Sequence, residues 1–191
     1  MYVNFEVANA KKLFLPQTSG LTCWAACAAG VKSAQAKKKV FETDFLTGRY
    51  LAAFNAPNPN DPDNPGRALG PTELIDFYSA QLKFKTRNID TSSREAVATF
   101  VQASAPIILM SAIVSFVNGV PQHQGYHVRL IYGVLGSTDS ANEDEFQVKI
   151  FDPFPPTGFN HYTPFLFSHF KYQVALKTGP FATMIGQCWY A

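Results

Sequence analysis

The chain has 191 residues, 47% of them apolar and only 16% charged, with a formal net charge of +2. That is enough for a sizeable core in one domain, and it excludes the clustered basic footprint of a nucleic-acid binder. The longest apolar stretch, Pro106 to Val114, is far short of the ~20 residues of a membrane span. The N-terminus lacks a basic region leading into an apolar one, so no secretory signal is expected. A cytoplasmic location, export by a signal-independent machine or a trimmed leader each fits this.

Residues 1–16 read as an extended lead-in, followed by a polar loop, Gln17-Thr18-Ser19-Gly20-Leu21-Thr22. A helix is predicted from Cys23 with Thr22 as its N-cap. It is Ala-rich and lacks Pro, and Trp24, Cys27, Ala28 and Val31 would face inward. Its last turn would carry Lys37, Lys38 and Lys39, the favourable end of the dipole for cations.

A second helix is predicted over Glu42 to Phe54, then a long Pro- and Asn-rich loop from Asn55 to Ala68. Pro71 suits the first turn of a helix running to Gln81. Ser92 with Glu95 resembles a capping box opening a helix to about Ala103.

After Ala105 the character changes. Strands are predicted over Ile107–Ile113, His127–Leu135 and Phe146–Phe151, with two more over Lys171–Lys177 and Thr183–Tyr190 and a short helix near Thr163-Pro164. Helices first and strands later give an α+β fold, with a helical part over about 23–104 and a sheet part over about 105–191.

Three cysteines, Cys23, Cys27 and Cys188, cannot all pair internally. Whether Cys27 and Cys188 form a disulfide is left open. Cys23 stands on the first turn of its helix, where the macrodipole favours thiolate over thiol. Gln17, six residues earlier across a Gly-containing loop, can reach back and donate to an oxyanion beside the Cys23 N–H. A buried structural cysteine is the alternative.

Of the four histidines, His127 opens a strand and Asp152 closes another. The polar connector 136–145 suits a hairpin, and a symmetric register about it sets His127 opposite Asp152 on one face. The carboxylate would fix the ring tautomer and leave the other nitrogen for a thiol. A bulge would break this register. Arg129 would share that face, pairing with Asp152, meeting an acidic substrate group, or facing solvent. Gly125 between His123 and His127 argues against a helical metal-binding pair. There is no GxSxG, HExxH, GxGxxG or Walker-type motif.

Gln17, Cys23-Trp24-Ala25-Ala26, Leu69-Gly70-Pro71-Thr72, Gly125-Tyr126-His127 with Tyr132-Gly133-Val134, and Phe151-Asp152-Pro153-Phe154, in this order, resemble the papain-like cysteine peptidases. The likeness is nearest to their compact bacterial branch of bacteriocin-leader peptidases and plant-pathogen effector proteases. The resemblance implies a two-lobe papain-like fold and amide hydrolysis without a cofactor. Cys23 would be the nucleophile, His127 the base and acid, Asp152 the orienting residue and Gln17 the oxyanion donor. Trp24, Gly125 and Tyr126 would line the substrate site. A peptide or protein substrate, a role as a bacterial effector or toxin, and a cognate inhibitor or immunity protein follow from it. A peptidoglycan amidase on the same triad and a catalytically silent binding module are the alternatives. Cys27, where a small hydroxyl residue is often found, and Arg129, in a usually apolar strand, depart from the pattern.

Overall fold

The structure is a computed structural model, and it describes residues 1–55, 68–118, 120–154, 160–177 and 181–191. The fold is α+β. An antiparallel sheet runs in the order β2 (Lys85–Asn88), β7 (Gln187–Tyr190), β3 (Ile107–Val117), β4 (Val120–Ser137), β5 (Phe146–Phe151) and β6 (Tyr162–Leu166). β1 (Tyr2–Glu6) pairs with the far end of β4, taking over the edge that β3 leaves after Ile107↔Ile131. Gly133 makes that approach possible: a Cβ there would lie 2.3 Å from the backbone oxygen of Phe5.

Two apolar clusters flank the sheet. One gathers α2 (Cys23–Ala36), with Val31, Ala28 and Trp24, against Val128, Leu130 and Tyr132 of β4. The other gathers α5 (Arg94–Ser104) and α6 (Phe167–Ala175) against Ile107, Leu109, Ile131 and Val148. Helix α2 is buried almost throughout its first ten residues, Gly30 included. A Cβ on Gly30 would come within 2.4 Å of Leu130 Cδ1, so this glycine sets how closely α2 lies on β4.

Thr22 is the N-cap of α2, but its hydroxyl donates to the Ser19 carbonyl instead of accepting from the helix. The helix ends at Ala36 because Lys37 turns left-handed at φ 54°, so the three lysines lie beyond the last turn. The expected helix over Glu42–Phe54 is two pieces, a 3₁₀ turn Glu42–Phe45 and α3 (Gly48–Asn55), parted where Gly48 takes φ +52°. The loop expected from Asn55 to Ala68 falls at 56–67, outside the described residues. Pro71 begins α4 (Pro71–Ile75), which continues as a π-helical turn to Gln81. The cap of α5 is Ser93, one residue after the one expected, accepting from Ala96 N at 3.0 Å.

Other expectations are corrected. The lead-in contains β1 and a short helix, α1 (Ala10–Leu13). Near the C-terminus strand and helix are exchanged: Tyr162–Leu166 is a strand, and Phe167–Ala175, not a strand over Lys171–Lys177, is a helix. Pro164 is tolerated in β6 because β6 is the edge of the sheet, where a missing N–H costs no ladder bond. β2 joins the sheet from inside the segment expected to be helical. No helix among the described residues is long and apolar enough to cross a membrane.

Candidate active site

Cys23 is the first residue of α2 and only partly buried, whereas Cys27 and Cys188 are wholly buried; all three are free thiols. Burial alone would raise the Cys23 thiol. The charge of His127, a hydrogen bond from its ring and the N–H groups of Val128 and Trp24 outweigh burial and bring it below its ordinary value. Cys27 lies one helical turn on, and burial, with the nearby charges of Cys23 and Asp152, pushes it well above. Its thiol donates to the Val128 carbonyl at 3.4 Å, the bond a hydroxyl would make in its place, and ties α2 to β4.

His127 Nε2 meets Asp152 Oδ1 at 2.6 Å, which leaves Nδ1 for the thiol. Burial disfavours the imidazolium, but the Cys23 charge, the Asp152 hydrogen bond and the Asp152 charge raise His127 to about 9. Burial likewise opposes ionisation of Asp152. The hydrogen bond and charge of His127, then Arg129, lower it to about 2. The Cys23 thiol thus stands against the His127 ring, with the Asp152 carboxylate behind it.

The contact is not made through the symmetric register. β4 and β5 pair as Leu130↔Phe151 and Ile131↔Ile150, and the ladder shifts between Ile131 and Gly133. Continued by one residue, it faces Asp152 with Arg129, and His127 reaches the carboxylate from two residues further along the same face. Of the three expectations for Arg129, pairing with Asp152 is the one observed, since Arg129 is buried and its Nε donates to Asp152 Oδ2 at 2.7 Å. Beyond the ladder, Phe154 N–H donates to Asp152 Oδ1 at 3.0 Å, and the ring of Phe154 stands edge-on to His127. His161 donates from Nδ1 to the Asp152 carbonyl and accepts from the Asp152 N–H through its own carbonyl.

The Gln17 loop is tied to this segment, because Gln17 N–H donates to the Pro153 carbonyl at 3.0 Å. The Gln17 side chain is buried. Its amide nitrogen donates to Ser19 O, which leaves a second N–H, and its Oε1 has no partner among the described residues. Glu42, which the sequence reading placed only at a helix start, clamps the same loop. One of its oxygens accepts from the N–H and the hydroxyl of Thr18, and the other is buried without a partner among the described residues.

Next to Cys23 and His127 is a cavity of about 120 Å³, walled by Leu69, Leu74, Met110, Tyr126 and Phe181 and floored by Trp24. Trp24 is 2% exposed, packs on Phe77 and Tyr50, and donates its indole N–H to Leu21 O at 3.1 Å. Tyr126 stacks obliquely on Phe181 at 5.1 Å. Gly125 lies in the extended backbone of β4 opposite Ile113, where the β3–β4 ladder shifts, and does not line the cavity. Leu69 belongs to the Leu-Gly-Pro-Thr motif, and Gly70 caps α4 by donating to Glu73 Oε2.

A scan against protein-family models finds no match, and a search of curated proteins finds none. Among solved structures, the chain is similar in fold to a crystal structure from Bacillus anthracis described as a "putative C39-like peptidase". The TM-score is 0.54 at 14% identity, covering 99% of this chain and 98% of that one. The α+β architecture is therefore one shared with that protein over nearly the full length of both chains.

Proposed function

We propose that the chain is a papain-like cysteine hydrolase that cleaves peptide or amide bonds, with Cys23 as nucleophile, His127 as base and acid, Asp152 as orienting residue and Gln17 as oxyanion donor. One observation carries this reading: a thiol at a helix N-terminus, hydrogen-bonded to a histidine whose far nitrogen is held 2.6 Å from a partly buried carboxylate. The Cys23 thiolate attacks the carbonyl carbon. The oxyanion is met by the Cys23 N–H and the Gln17 amide, and the His127 imidazolium protonates the leaving amine. Water, deprotonated by His127, then attacks the thioester, releasing the acid and restoring the thiolate.

In this reading residues 1–191 form one papain-like catalytic unit of two lobes. Cys23 lies on the helical wall of the cleft and His127 on the sheet wall. No cofactor takes part. The apolar cavity beside Cys23 favours a peptide with an apolar side chain over the polar, branched stem of peptidoglycan. The compact bacterial branch, an effector or toxin role and a cognate inhibitor protein extend the same reading. Incubating the chain and its Cys23→Ala variant with a proteome-derived peptide library and with peptidoglycan tests it. New peptide termini are expected from the first enzyme alone. Release from peptidoglycan only would assign the amidase alternative.

A further inference from the structure

Arg129 is a buried cation that stands outside the proposed triad. Its side chain is 8% exposed in the middle of β4, where the neighbouring core positions are Val128, Leu130 and Ile131. Every polar contact recorded for it is well formed. Nε donates to Asp152 Oδ2 at 2.7 Å, and Nη1 donates to Ser111 Oγ of β3 at 3.0 Å and to Gln173 Oε1 of α6 at 2.8 Å. The guanidinium carbon stands 5.7 Å from the centre of the Phe165 ring on β6. Three elements, β3, α6 and β6, thus hold one guanidinium, and it also meets the carboxylate oxygen that His127 does not use.

We propose that Arg129 is a positioning residue for the Cys23–His127 pair, acting through Asp152: it balances the buried charge of the site and fixes the carboxylate so that only Oδ1 faces His127. Count the charges in the working state. Cys23 and Asp152 are anions, and His127 and Arg129 are cations. They alternate along one line of contacts and sum to zero. Without Arg129 the buried site carries a net negative charge, which a low-dielectric interior resists by taking up a proton. If that proton goes to Cys23 it removes the thiolate; if it goes to Asp152 it removes the charged acceptor that holds the His127 ring. Among the described residues, the other titratable groups near this cluster are Cys27 of α2 and Tyr78, both pushed up by burial, and His161 ahead of β6, which contacts the Asp152 backbone. Ser111 and Gln173, from β3 and α6, carry no charge.

This inference rests on the cysteine-hydrolase reading, so its test needs no substrate. The rate at which iodoacetamide alkylates Cys23 is measured against pH; Cys27 and Cys188 are fully buried and do not compete. In Arg129→Met the acid limb of that profile moves up by at least about one pH unit, roughly a tenfold slower reaction on the limb, the usual effect of removing an adjacent charge. Arg129→Lys keeps the charge and leaves the limb near its original place, with slower turnover from the lost fork. If Arg129→Met does not fold, Gln173→Glu supplies an anion that draws Arg129 away from Asp152. It moves the limb in the same direction, whereas Gln173→Met leaves it in place. A folded Arg129→Met or Gln173→Glu with an unmoved acid limb overturns the inference and leaves the hydrolase reading standing. A wild-type Cys23 that alkylates no faster than an ordinary thiol instead sinks the hydrolase reading itself.

Discussion

Papain-like proteases carry asparagine at the orienting position, but in the proposed mechanism Asp152→Asn disables catalysis. Asp152 uses both oxygens as acceptors, Oδ1 from His127 and Phe154 N–H and Oδ2 from Arg129. Asparagine has one acceptor and one donor. Either way the buried cation loses its counter-charge, and with the oxygen toward His127 and the Phe154 N–H, the NH₂ also confronts the Arg129 Nε–H and leaves that charged donor without an acceptor. Turned over, the oxygen satisfies Arg129, and the NH₂ then makes His127 Nε2 an acceptor. The ring proton moves to Nδ1 and faces Cys23, so the imidazole cannot take the thiol proton. A guanidinium cannot shed its charge, so the flipped amide wins. Activity should fall by the order of 10³–10⁴, the scale of a wrong-tautomer loss, with a parallel fall in Cys23 alkylation at neutral pH. The double variant Asp152→Asn/Arg129→Met frees the asparagine oxygen to face His127 and should regain tenfold or more. Nitrogen-resolved NMR of the His127 ring reports the tautomer directly. An Asp152→Asn enzyme within tenfold of wild type, or a double variant no better than the single, would refute this reasoning.

Gln17→Ala should fold normally and lose about 10²-fold in kcat, the usual loss for one oxyanion donor, as read by turnover on a peptide substrate. Gly133→Ala would set a methyl 2.3 Å from the Phe5 carbonyl oxygen, so β1 must leave β4; faster amide exchange in residues 2–6 and a lower denaturant midpoint should report it. In the proposed mechanism His127, raised from 6.5 to about 9, protonates the leaving amine, so kcat/KM should fall as pH rises through about 9. The stability His127 contributes is complete below about 6.5 and is lost over the same rise. Asp152 runs the other way: lowered to about 2 from 3.8, it contributes stability above about 3.8 that disappears as pH falls through about 2 in acid unfolding.

The sequence made Cys23, His127 and Asp152 legible through two local signals, a helix start after a polar loop and a polar connector between two strands. Those signals place residues on a face but not at a rung. Beyond the connector the strands pair three residues off the symmetric register, and the ladder shift at Ile131–Gly133 takes back one. The net slip of two makes His127 the diagonal neighbour of Asp152 and Arg129 the facing one. Because side chains alternate with period two, a slip of two keeps all three on one face, and the contact survived the wrong register. The exchange of strand and helix over residues 162–175 has a different cause. Phe167, Phe170 and Val174 suit a strand by propensity, yet at this spacing they form one face of α6 against the second core cluster. Glu42 and Gln173 carried no local signal at all, since each meets its partner across many residues of chain.

The central claim is that Cys23 is a thiolate because His127 is an imidazolium beside it. Ultraviolet titration of the thiolate in wild type, with His127→Ala as its partner, tests this most directly. Thiolate absorbance should be present in the folded wild-type protein at mildly acidic pH, vanish in Cys23→Ala, and in His127→Ala appear only at or above the ordinary range for cysteine. Superimposed titration curves for wild type and His127→Ala would contradict the account.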